Sequence, residues 1–99
     1  MKEYTLSHDA ELDLIEALDY VDSKSEKAAI QLERRLLEAF LYLSEWPATG
    51  HPRDDSPYPS LRFWAVEGYV IAYDPESVPL AIHAIVHGAR DLGTSFIVR

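Results

Sequence analysis

The side chains best suited to hold an anion or move a proton gather in the second half of the chain. Beyond its first half the cationic residues are Arg53, Arg62, Arg90 and Arg99, with His83 and His87 near the end of an apolar stretch. Arginine offers a rigid fork of donors to an oxyanion, and histidine titrates near neutrality. Arg62, His87 and Arg90 are therefore the candidate catalytic set, two guanidiniums for negative charge and one imidazole for proton transfer. The same residues also have a purely structural reading. In it Arg62 and Arg90 pair with carboxylates such as Asp74 or Asp91, and His87 satisfies backbone groups at a strand end. Structural ion pairs often imitate sites, so both readings stand at this level.

Other chemistries find less support. His83 and His87 are four residues apart, which on a strand puts them on one face but about 13 Å from each other. One metal ion cannot bridge that gap, so no metal centre is expected. The chain has no cysteine, which removes thiol catalysis and thiolate metal sites. Its four glycines do not cluster into a phosphate-binding loop, and no cofactor is expected. The letters of a Ser–His–Asp site are present without a spacing that supports one. Trp64, Tyr69 and Tyr73 have faces on which bases can stack, but their strand spacing and apolar neighbours favour the core or a protein partner. Arg34 and Arg35 read as a solvated helix face.

Charge narrows the choice of partner. The net charge is −8, and residues 1–46 hold five Lys/Arg against eleven Asp/Glu. Nucleic-acid binding draws much of its affinity from neutralised phosphates, so stable direct binding is not expected. The opening Met1-Lys2-Glu3-Tyr4 carries no basic-then-apolar leader, and no apolar run nears the roughly 20 residues that span a bilayer. A cytoplasmic protein without membrane contact is the expectation. With 99 residues, 47% of them hydrophobic, the chain suits one small domain over 1–99.

The elements that must position these residues follow from periodicity. Lys2 to Ser7 reads as a short strand, and Ser7 or Asp9 can cap a helix running to about Asp22. Its apolar positions are Leu14, Ile15, Leu18 and Val21. After Ser23-Lys24-Ser25, a second helix capped by Ser25 carries the stripe Ala29, Leu32, Leu36, Phe40 and Leu43, backed by Leu37, Ala39 and Leu41. It stops near Trp46, because Pro47 disfavours helix at the residue before it. Trp46 to Pro59 is a proline-rich loop. Leu61 to Glu67 and Tyr69 to Asp74 read as strands around a tight Glu67-Gly68 turn, which sets Arg62 opposite Tyr73 and Trp64 opposite Ile71. Leu80 to His87 is the last strand, its register left open by the longer turn before it. The order β-α-α-β-β-β describes an α+β domain, with a helical hairpin packed on a mainly antiparallel sheet.

Six pieces of this chain, in order, resemble the ParE/RelE superfamily of bacterial toxins. They are Ala10-x-x-Asp13-Leu14 through Ala17 to Tyr20, the alanines Ala28 and Ala29, and Pro47-x-x-Gly50-x-x-Arg53. A strand with Leu61-Arg62 and a Gly68-Tyr69-x-Ile71-x-Tyr73 hairpin follow, and His87-Gly88-Ala89-Arg90-Asp91 closes the series. The resemblance implies the toxin of a type II toxin–antitoxin, plasmid-stabilisation-like system, neutralised by a cognate antitoxin protein. It also implies one of two activities: ParE-like poisoning of DNA gyrase without a known catalytic centre, or RelE-like ribosome-dependent cleavage of messenger RNA. The ribonuclease pattern wants an arginine where this chain has Val70, lysines where it has Leu61 and Phe63, and a tyrosine where it has Phe96. Of that pattern Arg90 remains. Other ribonuclease branches use a glutamate with arginine and histidine, which Arg62 and His87 keep in play. An interaction module without toxicity is the third alternative. The ParE-like reading leads, with Arg53, Arg62, Trp64, Tyr69, Tyr73, His87, Arg90 and Phe96 as the expected contacts to target or antitoxin.

Overall fold

The computed structural model describes residues 3–53 and 58–88. Strand β1 (Tyr4–Leu6) leads into helix α1 (His8–Asp22), and α2 (Glu26–Glu45) returns antiparallel to it. A single 3-10 turn at Pro47–Thr49 interrupts the proline-rich loop. Strands β2 (Arg62–Val66), β3 (Tyr69–Asp74) and β4 (Leu80–His87) complete the expected order. The sheet runs β1-β4-β3-β2, with β1 parallel to β4 and the other pairs antiparallel.

The helix boundaries follow their capping residues. Ser7 Oγ accepts the Ala10 N–H at 3.1 Å, and Ser25 Oγ accepts the Ala28 N–H at 3.1 Å. Each satisfies one of the donors that a helix start leaves without an intrahelical partner. Along α2 the stripe Ala29, Leu32, Leu36, Phe40 and Leu43 is buried, whereas Leu37 and Leu41 face outward. On α1 the inward stripe is Ala10, Ala17, Leu14, Leu18 and Val21, and Ile15 points to solvent. The two alanines carry almost nothing beyond Cβ, which lets the helix lie close to the sheet.

The helix-facing side of the sheet presents Tyr69, Ile71 and Tyr73 from β3 with Leu80, Ile82 and Ile85 from β4. The opposite side carries Leu61, Phe63, Ala72, Ala84 and Val86. Ile82 and Ile85 are three apart and yet face the same way. The cause is a register shift: Ala72 lies opposite Ala84, but Tyr73 lies opposite Ile82, leaving His83 as the extra residue of a bulge. The bulge resets the alternation, so His83 and His87 do not share a face by simple parity as the sequence suggested.

Strand β1 is short and leaves the outer edge of β4 unpaired beyond Ile82. Helix α1 closes that gap, because Asp13 Oδ2 accepts the Ile85 N–H at 2.9 Å. A carboxylate here does the work of a missing strand. Replacing Asp13 with Ala strands the Ile85 donor and is expected to cost about 1–3 kcal/mol in chemical denaturation. Asp13→Asn keeps an acceptor oxygen and should lose less.

Candidate functional site

Strand β3 is the ruler along which the sequence-predicted site residues are placed. At one end Arg62 lies opposite Tyr73 across β2 and β3. At the other, Val66 and His87 flank Tyr69. Tyr69 and Tyr73 are four residues apart on this strand, about 13 Å at the usual rise. Arg62 and His87 therefore do not converge. Arg90, the third of the candidate set, lies outside the described residues, as does Phe96.

Each of the two separated residues has a local partner. Arg62 Nη1 donates to the Gly50 carbonyl at 2.7 Å, so it holds a loop carbonyl and not Asp74. Asp74 instead accepts the Glu76 N–H through Oδ1 at 2.9 Å, closing the turn before β4. The His87 ring meets Tyr69 edge-on, with centroids 5.3 Å apart and planes at 86°.

Arg62 belongs to a corner that the Pro47-x-x-Gly50 motif builds. The Tyr73 hydroxyl donates to the Pro47 carbonyl at 2.6 Å and accepts the Gly50 N–H at 2.8 Å. Just beyond, His51 and Phe63 exchange backbone hydrogen bonds of 2.9 Å each, fastening the loop to the outer edge of β2. Gly50 is required by proximity. A Cβ there would stand 2.5 Å from the Tyr73 hydroxyl oxygen and 2.9 Å from the Phe63 carbonyl. Burial pushes the Tyr73 hydroxyl above its usual value of 10.0, against smaller opposing pulls from the Gly50 N–H and the Arg62 charge. It stays protonated and keeps its donor.

Of the expected partner contacts, Tyr73 and Tyr69 turn out to be core residues, the first fully buried and the second 9% exposed. Their hydrophobic bodies fill the space under the helices, so their side chains serve the fold. Trp64 is half-buried, and its ring lies 6.3 Å from that of Tyr42 on α2. Arg53 and His87 are exposed. What periodicity did not single out is a groove of about 330 Å³ between α2 and β2, lined by Arg35, Glu38, Ala39, Tyr42 and the stretch Trp64 to Glu67. Tyr42 lies one helical flank away from the buried stripe, and that offset was the available signal. Among the described residues no group of three or more His, Asp or Glu is placed to hold a metal ion, and no helix is long and apolar enough to cross a membrane.

With this geometry in place, comparison with known proteins identifies the scaffold. A family model described as "ParE toxin of type II toxin-antitoxin system, parDE" matches residues 4–92. The chain belongs to the ParE toxin family. Among solved structures, a chain of the chromosomal ParDE TA system from P. aeruginosa superposes with a TM-score of 0.70 at 20% identity. The match covers 88% of this chain and 96% of that one, and at such identity it bears on the fold alone. No curated protein sequence matches. The ParE motif residues thus acquire structural roles: Asp13 seals the β4 edge, and Pro47, Gly50 and Tyr73 lock the corner.

Tyr73→Phe removes both hydroxyl bonds of the corner and is expected to lower stability at neutral pH by about 1–3 kcal/mol. The pH dependence has a definite sign. With the folded value raised, folding binds more protons than unfolding above pH about 10, so this group's contribution is intact below that pH and declines above it. Alkaline denaturation curves of the Phe variant should lack that part of the decline.

Proposed function

We propose that this ParE-family chain is a cytoplasmic toxin of a type II, plasmid-stabilisation-like pair that acts by gripping DNA gyrase. A cognate antitoxin neutralises it by covering the same apolar surface. The observation that supports protein binding over bond-breaking is the outer face of the helical hairpin. Leu12 and Ile15 on α1 and Ile30, Leu37 and Leu41 on α2 are large apolar side chains left 38–62% exposed. On α2 the positions 30, 37 and 41 fall on one flank at helical spacing, the pattern by which an amphipathic partner is received. Exposed apolar rows on a small protein mark interaction surfaces.

The separation of Arg62 from His87 points the same way. Cleaving RNA requires a base, an acid and cations around one phosphate. Here Arg62 is committed to a loop carbonyl and His87 sits at the far end of the neighbouring strand. The acidic balance also weighs against docking on ribosomal RNA.

Purified protein is expected to inhibit gyrase supercoiling, with inhibition relieved by the protein encoded in the adjoining reading frame. Leu37→Gln with Leu41→Gln should weaken that partner about tenfold or more while the chain stays folded, since glutamine keeps the helix propensity of leucine and both side chains face outward. Raising salt to about 0.5 M should leave the complex unchanged or weaken it; strengthening would mean that like charges face each other. Transcript cleavage on translating ribosomes, abolished by Arg90→Ala, would replace this reading with the ribonuclease one.

A further inference from the structure

The groove between α2 and β2 adjoins a stretch of strand edge that no described residue covers. Strand β2 is the outermost strand of its sheet. In an antiparallel ladder the backbone groups of successive residues point alternately inward and outward. Phe63 turns its N–H and C=O outward, where His51 takes both. Ala65, two residues on, turns the same way. In that antiparallel register Thr49 is the position opposite Ala65, but Thr49 belongs to the 3-10 turn and its N–H donates to the Trp46 carbonyl at 3.0 Å instead. No described residue pairs with the Ala65 backbone, and the residue is exposed.

The side chains around that edge have a distinct chemistry. The Tyr42 and Trp64 rings are inclined at 30°, with centroids 6.3 Å apart, and 49% of Tyr42 is exposed. Glu38 lies one turn before Tyr42 on the same flank of α2, and Glu67 closes the groove from the hairpin turn. Glu67 is held at φ 51°, a left-handed conformation that glycine or asparagine adopts more readily than glutamate. Arg35 approaches Glu67 at 3.9 Å with both side chains about half exposed, an arrangement that solvent screens. Two carboxylates against one guanidinium leave the groove net negative. Aromatic faces beside carboxylates form a receptor for a cation with an apolar stem.

We propose that this groove receives an extended segment of the antitoxin, which pairs its backbone with Ala65 and places an arginine or lysine between the Tyr42–Trp64 rings and the Glu38 and Glu67 carboxylates. The inference rests on the antitoxin reading above and adds the place and chemistry of one anchor. A single open residue offers only one N–H and one C=O, so strand pairing sets the segment's direction while the side-chain pocket supplies discrimination. The chain's charge of −8 makes a basic segment the complementary choice.

The test uses the full chain, alone and with the protein encoded by the adjoining reading frame. The Ala65 amide should exchange rapidly in the free chain and at least about tenfold more slowly in the complex. Glu38→Lys should weaken the complex about tenfold, more at low salt than at high, and Glu38→Gln should fall between it and the parent. Unchanged far-UV circular dichroism and melting would certify that the variants are folded. A complex that forms with Ala65 still exchanging freely, or with Glu38→Lys binding within about twofold of the parent, overturns the anchor and leaves the antitoxin reading standing. Protection of Ala65 already in the free chain also overturns it, since another part of the same chain then occupies the edge. If no complex forms, the antitoxin reading falls and the anchor with it.

Discussion

A single buried hydroxyl fastens the loop that leaves the second helix to the middle of the sheet. Tyr73 reaches from the middle of the sheet to the Pro47 carbonyl and the Gly50 N–H, joining β3 to the exit of α2. That junction is difficult to make otherwise. Pro47 has no N–H to offer, and the loop carries backbone groups into a place from which water is excluded. One phenol that both donates and accepts satisfies two of them, and Arg62 satisfies a third. The helix hairpin is thereby anchored at its C-terminal end, and the loop meets the outer edge of β2 at Phe63.

The elements were legible because their signals are local. Serine caps at Ser7 and Ser25, an apolar stripe on α2 and a two-residue turn at Glu67-Gly68 each act within a few residues. The Arg62–Tyr73 and Trp64–Ile71 pairings followed from that turn alone. What the sequence did not disclose depends on distant pieces. The bulge at His83 shifts one strand against another, and no composition rule marks it. Arg62 looked like half of an ion pair or a catalytic cation, because a carbonyl acceptor leaves no trace in residue type. Ile15 looked like a core residue by helical spacing. The close approach of α1 through Ala10 and Ala17 instead turns it outward.

Acidity and apolar exposure coexist on the same hairpin, and the combination has a physical rationale. Leu12, Ile15, Ile30, Leu37 and Leu41 would promote self-association on a neutral surface. Repulsion between copies that each carry −8 opposes this. A partner of opposite or neutral charge meets no such barrier. The core beneath the hairpin is apolar, and the Arg35–Glu67 pair, at 3.9 Å, lies at the rim of a groove.

The parallel pairing of β1 with β4 bears on how the chain comes into being. Tyr4 has Leu80 as its neighbour, so β1 waits for β4. Until then the hairpin of helices can form but lacks the sheet against which its inner stripe is buried. Contacts of such span are slow to close, because loop entropy must be overcome before they contribute. A nascent or truncated polypeptide of this kind is thus barred from its finished shape. Whatever the completed surface binds, it can do so only once β4 has been made.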